Sequence, residues 1–295
     1  MRAEAIATPV AELAAAGRRD GTVAGVTEGA AYLEFEGFVL ALTAREVPLM
    51  PNGIAVDVRP GRDAWPRPGG AVMLERRRIR SGGRALVAWS PDRPPAWEAR
   101  VPPLRADQRA EGLARGRALL EALDVHGEPT ATDLARVVDA PWLASSTSAG
   151  RRDGGVELLL RAAAEGDPDL GARAAALLVG RGGGLTPEGD DLLAGAAAAG
   201  AAAGDAAGWP AADRSAWLAA LRPPNLARRT TPLSATLLEL ATRGQVMEPV
   251  HALLDLSPAG AEGWPAALRT LLRIGHSTGP AYAAQVAATL VLVCE

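Results

Sequence analysis

Five prolines fall within the thirteen residues 91–103 (PDRPPAWEARVPP), and the chain changes character across them. Proline removes a backbone donor and blocks regular pairing, so this stretch separates two kinds of structure. Before it, short apolar runs at 31–36, 37–41, 54–58 and 84–89, punctuated by Gly, Pro and Asn, read as strands. Ser81-Gly82-Gly83 reads as a hairpin turn, because glycine accepts positive φ without strain. After it, helical patterns run over 105–123, 131–138, 156–164, 189–203, 211–221, 232–242, 261–272 and 280–293. Alanine, the best helix former, makes up over a fifth of the chain. The run AGAAAAGAAAG at 194–204 predicts a buried central helix whose nearly bare surface lets its neighbours approach closely. Gly-Trp-Pro-Ala-Ala occurs at 208–212 and again at 263–267, and both copies read as helix starts, with proline in the first turn. The expected fold is α+β. A strand-rich small barrel or sandwich-like domain (1–95) is followed by a mostly α-helical domain (96–295).

Composition narrows the function. All 31 positive charges are arginines, against 34 acidic residues and a net charge of −3. That charge supplies no overall positive field for nucleic acid. The absence of lysine removes Schiff-base chemistry and the Walker-loop lysine. The one cysteine, Cys294, allows neither an intramolecular disulfide nor a cysteine-based zinc cluster. Glu4 and Glu12 interrupt what a secretory signal would need as an apolar stretch, and 281–294 is too short to span a bilayer. The expectation is a cytoplasmic protein without membrane or nucleic-acid partners.

Three stretches share one grammar, in which a small or polar loop runs into a helix start. The first is Gly180 to Gly195, where Gly182, Gly183 and Gly184 lead through Thr186 to Gly189, Asp190 and Asp191. Free N–H groups at such a start, aided by the helix dipole, suit a phosphate or carboxylate. Asp190 and Asp191 could serve as general base or as oxygen ligands for a hard cation, with Mg²⁺ the cofactor they would take. Simple N-capping by Asp190 or Thr186 is the plainer reading. The second stretch sets Arg228, Arg229, Thr230, Thr231 and Ser234 around Pro232, combining guanidinium and hydroxyl groups. The third is Gly275, His276, Ser277 and Thr278, with a histidine able to titrate near neutral pH. Three such starts in one helical domain predict a shared pocket for a small anionic substrate. Elsewhere, the run Arg76-Arg77-Arg78-Ile79-Arg80 reads as a solvated strand face or turn. The serines and threonine at 145–148 with Arg151 and Arg152 read as a loop, and His126 and His251 as structural residues.

Gly184-Leu185-Thr186-Pro187, Gly189-Asp190-Asp191, Gly195, Thr231-Pro232-Leu233-Ser234 and Gly275-His276-Ser277 together resemble the AllH-like family, over roughly 178–292. The family, formerly a domain of unknown function, takes its name from a subunit of oxamate carbamoyltransferase of anaerobic allantoin catabolism. That enzyme works with separate partner subunits on oxalurate, phosphate, oxamate and carbamoyl phosphate. The resemblance implies a carbamoyltransferase-type complex subunit. Gly182, Gly183, Gly184, Thr186, Gly189, Thr230, Thr231, Ser234, Ser277 and Thr278 would hold the anion, Arg229 would neutralise charge, and Asp190, Asp191 and His276 would carry catalysis. Under it, Asp190→Ala is expected to abolish activity without unfolding the chain. Gly183 and Glu188 stand where the family has proline and serine, and the added carboxylate repels an anion unless Arg181 or a cation offsets it. A non-catalytic scaffold or ligand-sensing subunit and a stand-alone Mg²⁺-dependent phosphate-transfer enzyme are the alternatives.

Overall fold

The computed structural model describes residues 1–90, 96–125 and 154–295. The predicted helix at 131–138, His126, the 145–148 run, Arg151 and Arg152 lie outside the described residues. The chain divides into two compact units, Met1–Arg100 with Val246–Glu248, and Val101–Gln245 with Pro249–Glu295.

Among the described residues the first unit is one nine-stranded sheet: β1 (Ala3–Ala7), β2 (Arg19–Val26), β3 (Ala30–Phe35), β4 (Phe38–Ala44), β5 (Gly53–Val56), β6 (Ala71–Glu75), β7 (Arg78–Ser81), β8 (Arg84–Ala88) and β9 (Ala96–Trp97). Helix α1 (Thr8–Ala15) follows β1. The spatial order is β8-β7-β6-β2-β3-β4-β5-β1-β9. Pairing is antiparallel except for β4 with β5 and β1 with β9. Side chains alternate across a strand, and the register Ala31↔Leu42, Leu33↔Leu40 puts both pairs, with Phe35, in the buried core beside Ile54, Leu74, Ile79 and Val87. The sheet curls, because Arg2 bridges to Ala88 and the Met1 ammonium donates to the Leu86 carbonyl at 3.0 Å. The expected barrel or sandwich is thus a single curled sheet. Gly82 and Gly83, at φ +55° and +78°, make the two-residue hairpin loop between β7 and β8 as expected.

The second unit is helical: α2 (Arg109–Val125), α3 (Gly154–Glu165), α4 (Pro168–Leu178), α5 (Glu188–Ala203), α6 (Ala211–Ala220), α7 (Leu226–Arg229), α8 (Pro232–Ala241), α9 (Glu248–Leu254), α10 (Pro258–Leu271) and α11 (Thr278–Cys294). Helix α5 is the alanine-rich helix expected at the centre, and nearly all of it is buried. It packs against α11, which is buried along almost its whole length, and against α8. Methyl-sized side chains let α5 and α11 lie close, so dispersion contacts are made backbone to backbone as well as through side chains. Trp217 of α6, fully buried, donates its indole N–H to the Ala162 carbonyl of α3 at 2.9 Å. Removing so large a buried ring costs on the order of 3–5 kcal/mol.

One sequence expectation needs correction. Gly208 to Ala212 does lead into α6, but Pro265 of the second copy lies inside α10, which begins at Pro258 under a Ser257 cap. The Ser257 hydroxyl accepts from Gly260 N–H and starts the helix seven residues before that proline.

Candidate functional site

Helix α4 ends at Leu178, and two residues later Gly180 turns the chain at φ +76°. A Cβ there would lie 2.0 Å from the Arg229 carbonyl oxygen, so only glycine lets this loop rest against the backbone before α8. Gly189, in the first turn of α5, is equally constrained, since a Cβ would meet the Leu178 carbonyl at 2.1 Å. These two glycines hold the end of α4, the start of α5 and the start of α8 together. The intervening Gly182, Gly183, Gly184 and Leu185 are exposed, with Gly182 and Gly184 at φ +111° and +90°.

Asp190, 1% exposed, fastens that junction. Its Oδ1 accepts from Gly180 N–H at 2.8 Å, and its Oδ2 accepts from the hydroxyls of Ser234, at 2.7 Å, and Thr230. The adjacent Thr231 caps α8, accepting from Ser234 N–H at 3.1 Å, and donates its own hydrogen to the Leu185 carbonyl. The third helix start joins through the hydroxyl pair Thr186–Thr278, 2.7 Å apart. All three polar stretches therefore meet at one place in the helical unit.

Asp191 occupies the other side of the same helical turn. It is 4% exposed, and its Oδ2 is buried with no hydrogen-bond partner among the described residues. Burial pushes the carboxyl up to about 8. The Thr278 hydroxyl opposes that rise, the negative charges of Asp190 and Glu188 add to it, and the Thr186 hydroxyl opposes it more weakly. At neutral pH the group is therefore a carboxylic acid, with a hydrogen to donate. Tyr282, one turn along α11 from Thr278, is itself buried. Burial first, then the charge of Asp191, raises its phenol. Next along α11 lies Gln285, fully buried, whose Oε1 is also unpartnered while its Nε2 donates to Thr289 at 3.0 Å. Sequence reasoning passed over Tyr282 and Gln285. The signal was a polar series at 278, 282, 285 and 289 on an otherwise apolar helix.

The remaining expected site residues are less closely joined. Arg229 donates to the Ala176 carbonyl of α4 at 2.7 Å, which engages its guanidinium at a helix C-terminus. His276 is exposed, and none of the junction's hydrogen bonds among the described residues involves it. Ser277 precedes α11 without a side-chain capping bond. The metal reading does not fit this geometry. Both oxygens of Asp190 are taken by three protein donors, and among the described residues no group of three His, Cys, Asp or Glu side chains could hold a metal.

Among the described residues no helix is long and apolar enough to cross a membrane. No curated protein and no solved structure matches the chain. The family model described as oxamate carbamoyltransferase subunit AllH matches residues 178–290, the stretch that holds every residue of this junction, so the AllH likeness of the sequence lies in the segment that builds the site.

Proposed function

We propose that this chain is a subunit of an oxamate carbamoyltransferase-like complex and that it holds an anionic substrate where the starts of α5, α8 and α11 meet. The observation that carries this reading is the convergence of three polar helix starts within the segment matched by the family model. The N–H groups of Gly182, Gly183 and Gly184, the Thr186 hydroxyl and Ser277 would hold the anion, with the Thr278 hydroxyl orienting that of Thr186. The N-terminal ends of two long helices would stabilise its charge.

In carbamoyl transfer from carbamoyl phosphate to oxamate, the amide nitrogen attacks the carbamoyl carbon. The carbon–oxygen bond to phosphate breaks, phosphate leaves with the electron pair, and the nitrogen loses a proton. The reverse reaction takes oxalurate and phosphate back to carbamoyl phosphate and oxamate. In either direction negative charge gathers on phosphate or carboxylate oxygens, and fixed N–H dipoles at helix starts favour that charge without reorganising. Asp190 serves this site by holding its walls, and Asp191 is the nearby group that can carry a proton. Other subunits would supply the rest of the active site.

Titration calorimetry of the purified chain with oxamate, phosphate and carbamoyl phosphate tests the reading. At least one ligand is expected to bind, and Thr186→Val is expected to weaken it at least tenfold. If no ligand binds the chain alone, yet the chain still assembles with partner subunits into an active enzyme that tolerates Thr186→Val, the function is that of a scaffold.

A further inference from the structure

We infer that Asp191, Thr278 and Thr186 form a hydroxyl relay whose direction is set by the proton on Asp191, so that anion capture at the glycine loop is coupled to proton binding. The inference rests on the anion-site reading above and adds how that site is switched.

The argument is a count of hydrogens. The two threonine hydroxyls lie 2.7 Å apart, close enough that one must donate to the other, and either can be the donor. Both also interact with the Asp191 carboxyl, Thr278 more strongly than Thr186. Two hydroxyl hydrogens are therefore shared among three places: the link between the threonines, the carboxyl, and whatever lies outside. An ionised carboxylate only accepts. Thr278 then gives its hydrogen to Asp191, Thr186 gives its own to Thr278, and the outer oxygen presents lone pairs alone, which repel an anion. A protonated Asp191 reverses the chain. Its hydrogen goes to Thr278, that of Thr278 goes to Thr186, and the hydrogen of Thr186 points outward, ready for a phosphate, sulfate or carboxylate oxygen.

Two observations favour the protonated arrangement as the resting one. The Asp191 Oδ2 is sealed from solvent with no hydrogen-bond partner among the described residues, a costly place for a full negative charge. The charged and titratable groups acting on it are Asp190 and Glu188 from its own helix and Tyr282 from α11, none of them cationic at neutral pH. From the α8 side come the hydroxyls of Thr230 and Ser234, and both are given to Asp190. Thr186 is the natural outer end of the relay, since it follows the exposed stretch 182–185. Asp191 acts through the hydroxyls and is a positioning residue.

The experiment is calorimetric titration with sulfate and, separately, oxamate, neither of which titrates between pH 6 and pH 9.5. Wild-type affinity is expected to be level up to about pH 8 and then to fall about tenfold per pH unit, the slope for one linked proton. Above the midpoint, binding is expected to take up one proton, read from the dependence of heat on buffer. Asp191→Asn, whose amide donates at every pH, is expected to bind within a few-fold of wild type at pH 7 and to lose the fall at high pH. Thr278→Ser is expected to behave as wild type and Thr278→Val to bind at least tenfold more weakly, a check that does not depend on the Asn variant folding. Binding that is independent of pH overturns the relay and leaves the anion site standing. So does a fall in affinity with pH that persists unchanged in Asp191→Asn, which would show that another group sets it. No binding of either anion at any pH overturns the relay together with the site.

Discussion

Arg115 and Asp191 are both more than nine-tenths buried in the helical unit, and the fold treats their charges in opposite ways. Arg115 lines a cleft of about 820 Å³ between the first turns of α2 and the start of α10. Its guanidinium donates to the carbonyls of Leu253, at 2.9 Å, and more weakly to those of Gly260 and Asp255, at 3.4 and 3.5 Å. It also lies 5.5 Å from the centre of the Trp264 ring. Burial lowers its pKa, the nearby Asp255 charge offsets part of that, and the carbonyls hydrogen-bond the cation. Among the described residues, the charges that shift Asp191 are both negative, and one of its oxygens has no hydrogen-bond partner. A buried charge that only fastens loops is satisfied by the fold itself. A buried acid left incomplete beside two helix starts has capacity to spare for a ligand. The cleft around Arg115 is a separate hollow, and the chemistry we propose lies at the junction instead.

The largest effect expected separates the two neighbouring aspartates. Asp190→Ala removes the acceptor for Gly180 N–H, Thr230 and Ser234, and strands one buried and two part-buried donors. Such a loss costs about 3–5 kcal/mol, on the order of 10 °C in Tm for a unit of this size. Thermal unfolding followed by circular dichroism checks it. The sequence expectation is loss of activity without unfolding, and the geometry adds this cost in stability to it. An unchanged Tm would mean that Asp190 is not the fastener described above.

Asp191→Asn should act in the other direction. The folded carboxyl keeps its proton to about pH 8, whereas an unfolded aspartate releases it near 3.9. Between those values the unfolded state binds fewer protons, so this group makes stability fall as pH rises, by up to about 1.4 kcal/mol per unit. The asparagine variant escapes that fall and should be more stable than wild type at pH 8 by about 2–4 kcal/mol, with a flatter pH profile. Urea unfolding from pH 5 to pH 9 gives both curves. Parallel curves would show that Asp191 is ionised in the fold and would remove the contrast with Arg115.

That contrast was only partly legible in the sequence. The glycine loop, the three polar helix starts and the alanine-rich central helix are local patterns, and each could be read from residue types and spacing. Asp190 and Asp191 look interchangeable in a sequence, because what separates them is about 100° of helical rotation. One then faces α8 and the other α11, and which helices flank α5 is decided by tertiary packing. Arg115 reads like its neighbours Arg109 and Arg117 until the end of α9 and the start of α10 fold over it. Strand β1 and helix α1 are short and give no sustained alternation or periodicity. For α4 the signals were present, since Asp167 caps it through Asp169 and Leu170 N–H with proline at its start, but they lie in a short alanine-rich stretch between stronger patterns. Pro265 misled in the opposite way, as it is tolerated within α10 once Ser257 has started that helix upstream.

Arg115→Met tests the cleft side of the comparison. The thioether can fill the space of the arginine stem but cannot donate to the Leu253 and Gly260 carbonyls or stack as a cation on Trp264. The expected loss is about 2–3 kcal/mol, and Arg115→Lys should recover only part of it, because an ammonium lacks the planar fork. Anion affinity at the junction should not change in either variant. A drop in affinity with stability held would instead place a ligand-binding role in the cleft.

The smallest effects compare two caps of the same kind, one in each region. Ser257 starts α10 by accepting from Gly260 N–H at 3.3 Å, and Ser257→Ala should cost about 1 kcal/mol and nothing else. Thr231 starts α8 by accepting from Ser234 N–H, but its hydrogen also goes to the Leu185 carbonyl, next to Thr186. Thr231→Ala should cost a similar ~1 kcal/mol for the cap, and it also frees the loop that carries the outer end of the relay. Matched stability losses with anion binding weakened only in Thr231→Ala would show that the loop, and not general loosening of the unit, sets affinity. Equal weakening in both variants would mean that the junction responds to the stability of the whole helical unit, and the distinction drawn between the two regions would then fail.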